Sequence, residues 1–324
     1  MFSASLYAGS FWSAASIVLL SALALLLVGG ERRVLQGGHA RRGDVYCLLA
    51  GGPPGARAAL LRAAATVAAP HVVSTHARAA GGLCTVASLT EGWQAGALVL
   101  ASGGLACVDG FEEAADGDRI SMREMMTEQC VSIQLPGTGF VDSARARFAL
   151  LAAAGASGGG AYDPRRAVAD NTALPEWLLA FFDLLCVLDD HDAAADGAAA
   201  ASAPGDEHPA PPLDAPLLRA YFAVARAHAP LWPLDDDTVQ HIIQRYTALR
   251  QRAKAQQLDP ATRAALPPVT ARTLETVLRL AEAHARLRLA DRVAPADVDA
   301  ALEVMHAAAA SGGRFAGDAA PAAA

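Results

Sequence analysis

Residues 44–58 read D-V-Y-C-L-L-A-G-G-P-P-G-A-R-A, and the fold turns on this stretch. Asp44 to Leu49 is a short β-branched and apolar run, as a strand requires. It closes in Gly51-Gly52-Pro53-Pro54-Gly55, the punctuation of a tight turn, and a helix is expected from about Ala58 through Val67. Strand, Gly/Pro loop and helix together form the geometry in which backbone N–H groups and a helix dipole cradle phosphate. The residues themselves are a poor version of it. Arg57 stands where a phosphate-binding loop needs its lysine, and Ala58 where it needs the magnesium-binding hydroxyl. A broad planar guanidinium replaces a compact ammonium badly inside such a loop, and Pro54 removes one N–H donor. On these residues alone, a tight strand-to-helix turn that holds no ligand is the plainer reading.

Working outward, a second strand is expected at His71 to Ser74, and a third apolar run, Leu105 to Val108, ends at Asp109. Further strands fit Val131 to Ile133, Phe148 to Ala153 and Leu184 to Leu188, with a helix near Arg119 to Gln129 between them. Short apolar strands alternating with helices indicate an α/β protein built on a mostly parallel sheet, with ligands beyond the carboxyl ends of its strands. Around Ala193 to Pro212 the composition collapses to Ala, Gly, Pro, Asp and Glu, which reads as a linker. Beyond it the pattern is helical: Leu217 to Ala229, Asp236 to Gln256, Thr270 to Leu289 and Pro295 to His306. In the third of these, Leu274, Val277, Leu278, Ala281, Ala285 and Leu289 share one face. The expected organisation is an α/β core over 1–192, a flexible linker over 193–214, a helical domain over 215–306 and a disordered tail over 307–324.

The composition narrows the function. The chain has 324 residues, enough for about two domains. Its 53% hydrophobic content is inflated by 78 alanines. With 26 basic and 33 acidic residues the net charge is −7, which excludes a generally basic nucleic-acid coat but leaves room for a local patch. Lys254 is the only lysine and Asn171 the only asparagine, so chemistry needing either elsewhere is excluded. Five widely spaced cysteines, Cys47, Cys84, Cys107, Cys130 and Cys186, form no Cys-x-x-Cys, against a zinc finger or disulfide framework. His76, His191, His241 and His284 show no metal spacing.

Ile17 to Val28 is nearly continuous apolar sequence. Extended back through Phe11 and Trp12 it approaches the roughly 18–20 residues that span a bilayer, so a membrane-anchored adaptor is one alternative. No Lys or Arg precedes it, and Gly29-Gly30 ends it before Glu31-Arg32-Arg33. A buried core helix accounts for the same residues.

Many blocks in order resemble the ATPase core of the minichromosome maintenance (MCM) replicative helicase family, most closely its third eukaryotic subunit. They include S-L-Y-A-G at 5–9, L-L-L-V-G-G-E-R-R-V-L at 25–35, R-R-G-D-V at 41–45, the loop at 51–58, Q-A-G-A-L-V-L-A at 94–101, C-V-D-G-F-E-E at 107–113 and D-R-I-S-M-R-E-M-M at 118–126. Y-D-P at 162–164, L-P-E-W-L-L-A-F-F-D-L-L at 174–185 and V-T-A-R-T-L-E-T-V-L-R-L-A-E-A-H-A-R-L-R-L at 269–289 continue the series. The resemblance implies an AAA+ P-loop NTPase fold with a C-terminal helical lid, and an N-terminal apolar helix that is buried. It also implies ATP and Mg2+ as ligands, other MCM-type subunits of a hetero-hexamer and DNA as partners, and the nucleus as location.

Carried over residue by residue, the resemblance implies a site stripped of most reacting groups. The phosphate loop is Gly51, Gly52, Pro53, Pro54, Gly55, Ala56, Arg57 and Ala58. Against the family's G-D-P-x-x-A-K-S, Gly51, Pro53 and Ala56 match while Gly52, Arg57 and Ala58 do not. Asp109 keeps the metal-holding position of the Walker B pair, on a strand expected to adjoin the loop's, but Gly110 replaces the water-activating glutamate. Gly155 stands at the sensor asparagine and Phe181 at the arginine finger, while the second sensor arginine survives as Arg272. The DNA-contacting hairpin lysine is replaced by Leu135, leaving Arg145 and Arg147 as candidate phosphate contacts. An arginine finger is worth about 10³ to 10⁵ in rate and a general base about 10² to 10⁴. The expected function is therefore an ATPase-deficient MCM-type scaffold or regulator. A helicase subunit active only in a mixed hexamer is the alternative.

Overall fold

The computed structural model describes residues 14–34, 40–79, 82–88, 92–134, 141–157, 162–163, 166–188, 214–232, 236–257 and 269–310. The expected linker over 193–214, apart from Asp214, and residues 311–324 of the expected tail lie outside them.

Five strands form one all-parallel sheet: β3 (Tyr46–Gly51), β4 (Val72–His76), β7 (Leu105–Asp109), β10 (Ala149–Ala154) and β11 (Leu184–Leu188), in the order β11-β3-β10-β7-β4. Every residue of β3 and of β10 is buried, as a central parallel strand with both faces covered requires. Alternate residues feed opposite layers. Cys47, Leu49, Cys107, Leu151 and Cys186 face one core with α1 (Ala14–Val28) and α2 (Pro54–Val67). Tyr46, Leu48, Val108, Leu150 and Ala152 face the other with α3 (Ala97–Leu100), α4 (Asp116–Glu128) and α6 (Glu176–Leu179). The strand order corrects one expectation. Asp109 is not on the strand next to the loop's, because β10 lies between β3 and β7.

Helix α1 is apolar on every side, and such a helix must be covered on every side. Ala22, Leu25, Leu26 and Val28 are buried. The cover comes from the sheet and from the C-terminal helices α7 (Ala215–Ala227), α9 (Ala271–Leu287) and α10 (Pro295–Ala310). Among the described residues no helix is long and apolar enough to cross a membrane. With α8 (Asp236–Gln257) these form an all-helical C-terminal part. Helix α10 runs to Ala310, four residues into the stretch expected as a tail, because alanine is the best helix former and the run after His306 is unbroken alanine.

Three antiparallel pairs lie outside the main sheet: β1 (Arg33–Val34) with β2 (Ala40–Arg41), β5 (Thr85–Ser88) with β6 (Gly92–Ala95), and β8 (Cys130–Gln134) with β9 (Val141–Arg145). The run at Val131 to Ile133 was expected in the parallel sheet and is instead one arm of the third pair. A strand joins a parallel sheet only through a long crossover, whereas a nearby second strand can pair with it at once. The short helix α5 (Val168–Thr172) and a single 3-10 turn at Phe111–Glu113 complete the described elements.

Candidate functional site

The β3–α2 loop opens at the carboxyl end of β3, where ligands of parallel sheets bind. Gly51 (φ +80°) and Gly52 (φ +69°) both adopt the left-handed conformation that glycine tolerates. Pro53 and Pro54 then set φ for the first turn of α2, with Pro54 inside the helix start. The Pro53 carbonyl accepts from the N–H groups of Ala56 (3.1 Å) and Arg57 (3.2 Å). These two amides are therefore spent within the protein.

A cavity of about 460 Å³ lies over this loop. Gly51, Gly52, Pro53, Pro54 and Arg57 line it from one side, and Glu112, Gly155 and Tyr162 are among those lining it from the other. Gly55, Ala56 and Ala58 are not in its wall, and an added Cβ on Gly55 would meet nothing within 4 Å. The structure thus gathers five of the eight loop residues around a hollow and leaves three outside it.

Arg57 is only 8% exposed. Its Nη1 donates to the carbonyl of Gly52 (2.7 Å) and to that of Gly51 (3.3 Å), and its Nε lies 4.0 Å from Asp109 Oδ1. Asp109 Oδ1 also accepts from the Gly110 N–H at 2.9 Å. Magnesium–ATP needs inward N–H donors, a hydroxyl after the loop cation and a carboxylate open to the metal. Here loop carbonyls point at a guanidinium, Ala58 has no hydroxyl, and Asp109 is partnered. Glu112 and Glu113 add negative charge to the same hollow, which disfavours a polyphosphate. The residues present do not fit magnesium–ATP.

Neighbouring side chains crowd Gly110 and Gly155. Gly110 is left-handed (φ +63°), and a Cβ there would meet His76 Nε2 at 2.5 Å. His76 Nδ1 accepts from the Arg78 N–H at 3.2 Å, which turns Nε2 toward Gly110. A Cβ on Gly155 would meet Glu112 Oε1 at 2.8 Å and Arg57 Nη2 at 3.1 Å. Glu112 Oε1 already accepts from the Gly155 N–H at 2.8 Å. Sequence reasoning gave His76 no role beyond a surface group and gave Glu112 none. The pair Glu112-Glu113 just after the apolar run was the one available signal, and only the parallel pairing of β7 with β10, and of β10 with β3, brings it to the loop.

Phe181 and Arg272 meet on another face. The Arg272 guanidinium stacks over the Phe181 ring at 4.2 Å, and Trp177 packs edge-on to the same ring at 6.4 Å. Phe181 is buried while Arg272 stays exposed, so the arrangement holds a cation in place on the surface. His241 pairs with Asp299 (3.0 Å) and His284 with Asp297 (2.6 Å). Among the described residues no three His, Cys, Asp or Glu groups are placed to hold a metal. Arg145 is exposed and Arg147 half-buried, whereas Leu135 lies outside the described residues.

Comparison with known proteins agrees with this architecture. The MCM P-loop domain family matches residues 14–203 and the MCM AAA-lid domain family residues 216–309. The chain is 37% identical to DNA replication licensing factor MCM7 of Oryza sativa subsp. indica, over 88% of its own length and 40% of that protein's. It is 34% identical to licensing factor mcm2 of Xenopus tropicalis (87% and 34% covered) and 32% identical to licensing factor MCM3 homolog 3 of Zea mays (88% and 43% covered). It spans well under half the length of these relatives. The three subunit types lie so close in identity that they do not single out the third.

Proposed function

The chain belongs to the minichromosome maintenance family, and from that premise we propose that it is an MCM-type ring subunit that does not turn over ATP and acts as a scaffold or regulator beside other MCM-type subunits of a hetero-hexamer. The observation that carries this reading is Arg57. Its guanidinium is buried against the loop's own carbonyls, with glycine at both places, 110 and 155, where the family supplies a base and a sensor. A glycine cannot accept a proton from water, and the nearest imidazole, that of His76, is held by a backbone N–H on one nitrogen. Losing base assistance costs about 10² to 10⁴ in rate, and Phe181 takes a further about 10³ to 10⁵ from a neighbour's site if it stands for the finger. Nuclear location and proximity to replicating DNA follow from the same family membership. DNA contact through the 130–145 hairpin is weakened by Leu135.

The test is hydrolysis by the purified chain, then unwinding by a ring reconstituted with MCM-type partners. Negligible turnover and unchanged or reduced unwinding are expected. Robust magnesium-dependent hydrolysis, abolished by changing Arg57 or Asp109, overturns the proposal.

Arg272 favours a second reading, a helicase subunit active only in a mixed hexamer. It is an exposed cation pre-oriented on an aromatic ring, suited to reach a neighbour's nucleotide. If Arg272→Ala slows hydrolysis by a ring that contains this chain, that second reading gains over the scaffold.

A further inference from the structure

We infer that the β3–α2 hollow has changed its ligand preference from anion to guanidinium, and that its occupant is the chain's own Arg57. Three observations converge. The carbonyl oxygens of Gly51 and Gly52 turn inward and accept from Arg57 Nη1 at 3.3 and 2.7 Å. Inward carbonyls repel phosphate and attract a cation with several donors, and a guanidinium carries five N–H groups in a rigid plane. The head group lies close against residue 155, where a Cβ would come within 3.1 Å of Nη2 and 3.4 Å of Nη1 and crowd it. The opposite wall is acidic. Glu112 Oε1 is tied to the Gly155 N–H, while its Oε2 is buried with no hydrogen-bond partner among the described residues, as is Arg57 Nε.

Arg57, Gly155 and Glu112 therefore form one unit. The arginine head group and Glu112 both border the space that a side chain at 155 would enter, and Asp109, 4.0 Å from Arg57 Nε, is the carboxylate paired with the guanidinium. An ordinary decayed site would be an open hollow with random replacements. Here a guanidinium is seated on carbonyl oxygens at one wall of the hollow.

The seat is identified through the family's loop and owes nothing to the ring role, so the test separates the two. Thermal melting of the full chain is measured for wild type and Arg57→Ala, with and without millimolar methylguanidinium chloride, and with methylammonium chloride as control. Arg57→Ala is expected to melt lower by about 2–4 °C. Methylguanidinium recovers most of that loss, methylammonium does not, and wild type shifts with neither. Equal response of both proteins, or no recovery, overturns the assignment. If Arg57→Ala does not fold, Gly155→Ala in wild type and in Arg57→Lys decides the matter. The added Cβ lowers the melting temperature with arginine at 57 and has less effect with the slimmer lysine, whereas equal losses sink the proposal. Calorimetry of wild type with ATP, with and without magnesium, should show no binding heat, and micromolar binding overturns the assignment. Hydrolysis seen only in a reconstituted ring would instead overturn the functional reading and leave the seat intact.

Discussion

At Gly110 the absence of a side chain leaves room for one neighbour, His76. The positive φ of Gly110 strains any L residue, and the imidazole of His76 fills the space a side chain would take. Restoring the family glutamate is therefore not a simple repair. Gly110→Glu should leave hydrolysis undetectable and destabilise the chain by about 1–3 kcal/mol, through overpacking. His76→Ala in the same background should return part of that loss, a non-additivity that a double-mutant cycle reads directly. Strictly additive losses would mean that His76 does not hold the space. The residue identities at 57, 58, 110, 155 and 181 were legible in the sequence once the blocks of the family were aligned. Their new neighbours were not, because His76 reaches Gly110 only through the register of β4 with β7, and Glu112 and Arg57 reach Gly155 only through the placement of β10 between β7 and β3.

At the scale of elements, the turn from α9 into α10 rests on Asp297. Burial would raise its carboxyl, yet hydrogen bonds from His284, Arg288 and the Ala294 N–H prevail and hold it at about 2. A carboxylate whose folded value is depressed stabilises the fold above its unfolded value and loses that contribution as pH falls toward the folded one. Stability should therefore decline between about pH 4 and pH 2 by about 2 kcal/mol from this group. Asp297→Asn should flatten that part of the pH–stability curve, measured by urea unfolding, and lower stability at neutral pH. An unchanged acid limb would show that the carboxylate is not the group responsible. The helix periods of α9 and α10 were readable from apolar spacing, since one stripe repeats at three and four. The β5–β6 and β1–β2 pairs were not, because their strands are too short to show alternation.

Across the whole molecule, one of the ties between the helical part and the sheet is a buried carboxylate. Asp183 accepts from Arg42 Nη2 (3.0 Å), Thr276 Oγ1 (2.8 Å) and the Tyr46 N–H (2.9 Å), and it pairs with Arg279 Nη1. Arg279 is itself buried, and burial lowers its pKa while the Asp183 charge opposes the shift. Removing one partner of such a pair leaves an uncompensated charge and costs about 3–5 kcal/mol. Asp183→Asn should thus lower the melting temperature and speed amide exchange in α9 well before the sheet opens. Uniform exchange across sheet and α9 would show that the two parts do not separate there. Helix α1, wedged among the sheet, α7, α9 and α10, is a second tie between the two parts.

The amino-acid sequence by itself determined the α/β class, the helical C-terminal part, the family and which residues stand at 57, 58, 110, 155 and 181. Those follow from local composition, apolar period and residue identity, which are properties of short segments. The tertiary structure alone decided that neighbouring side chains crowd Gly110 and Gly155, that Arg57 faces its own loop carbonyls, and that Asp109 is one strand further from the loop than expected. Each of these depends on which segments cross, and packing between residues scores of positions apart is set by the closing of the sheet and its layers rather than by any stretch of chain.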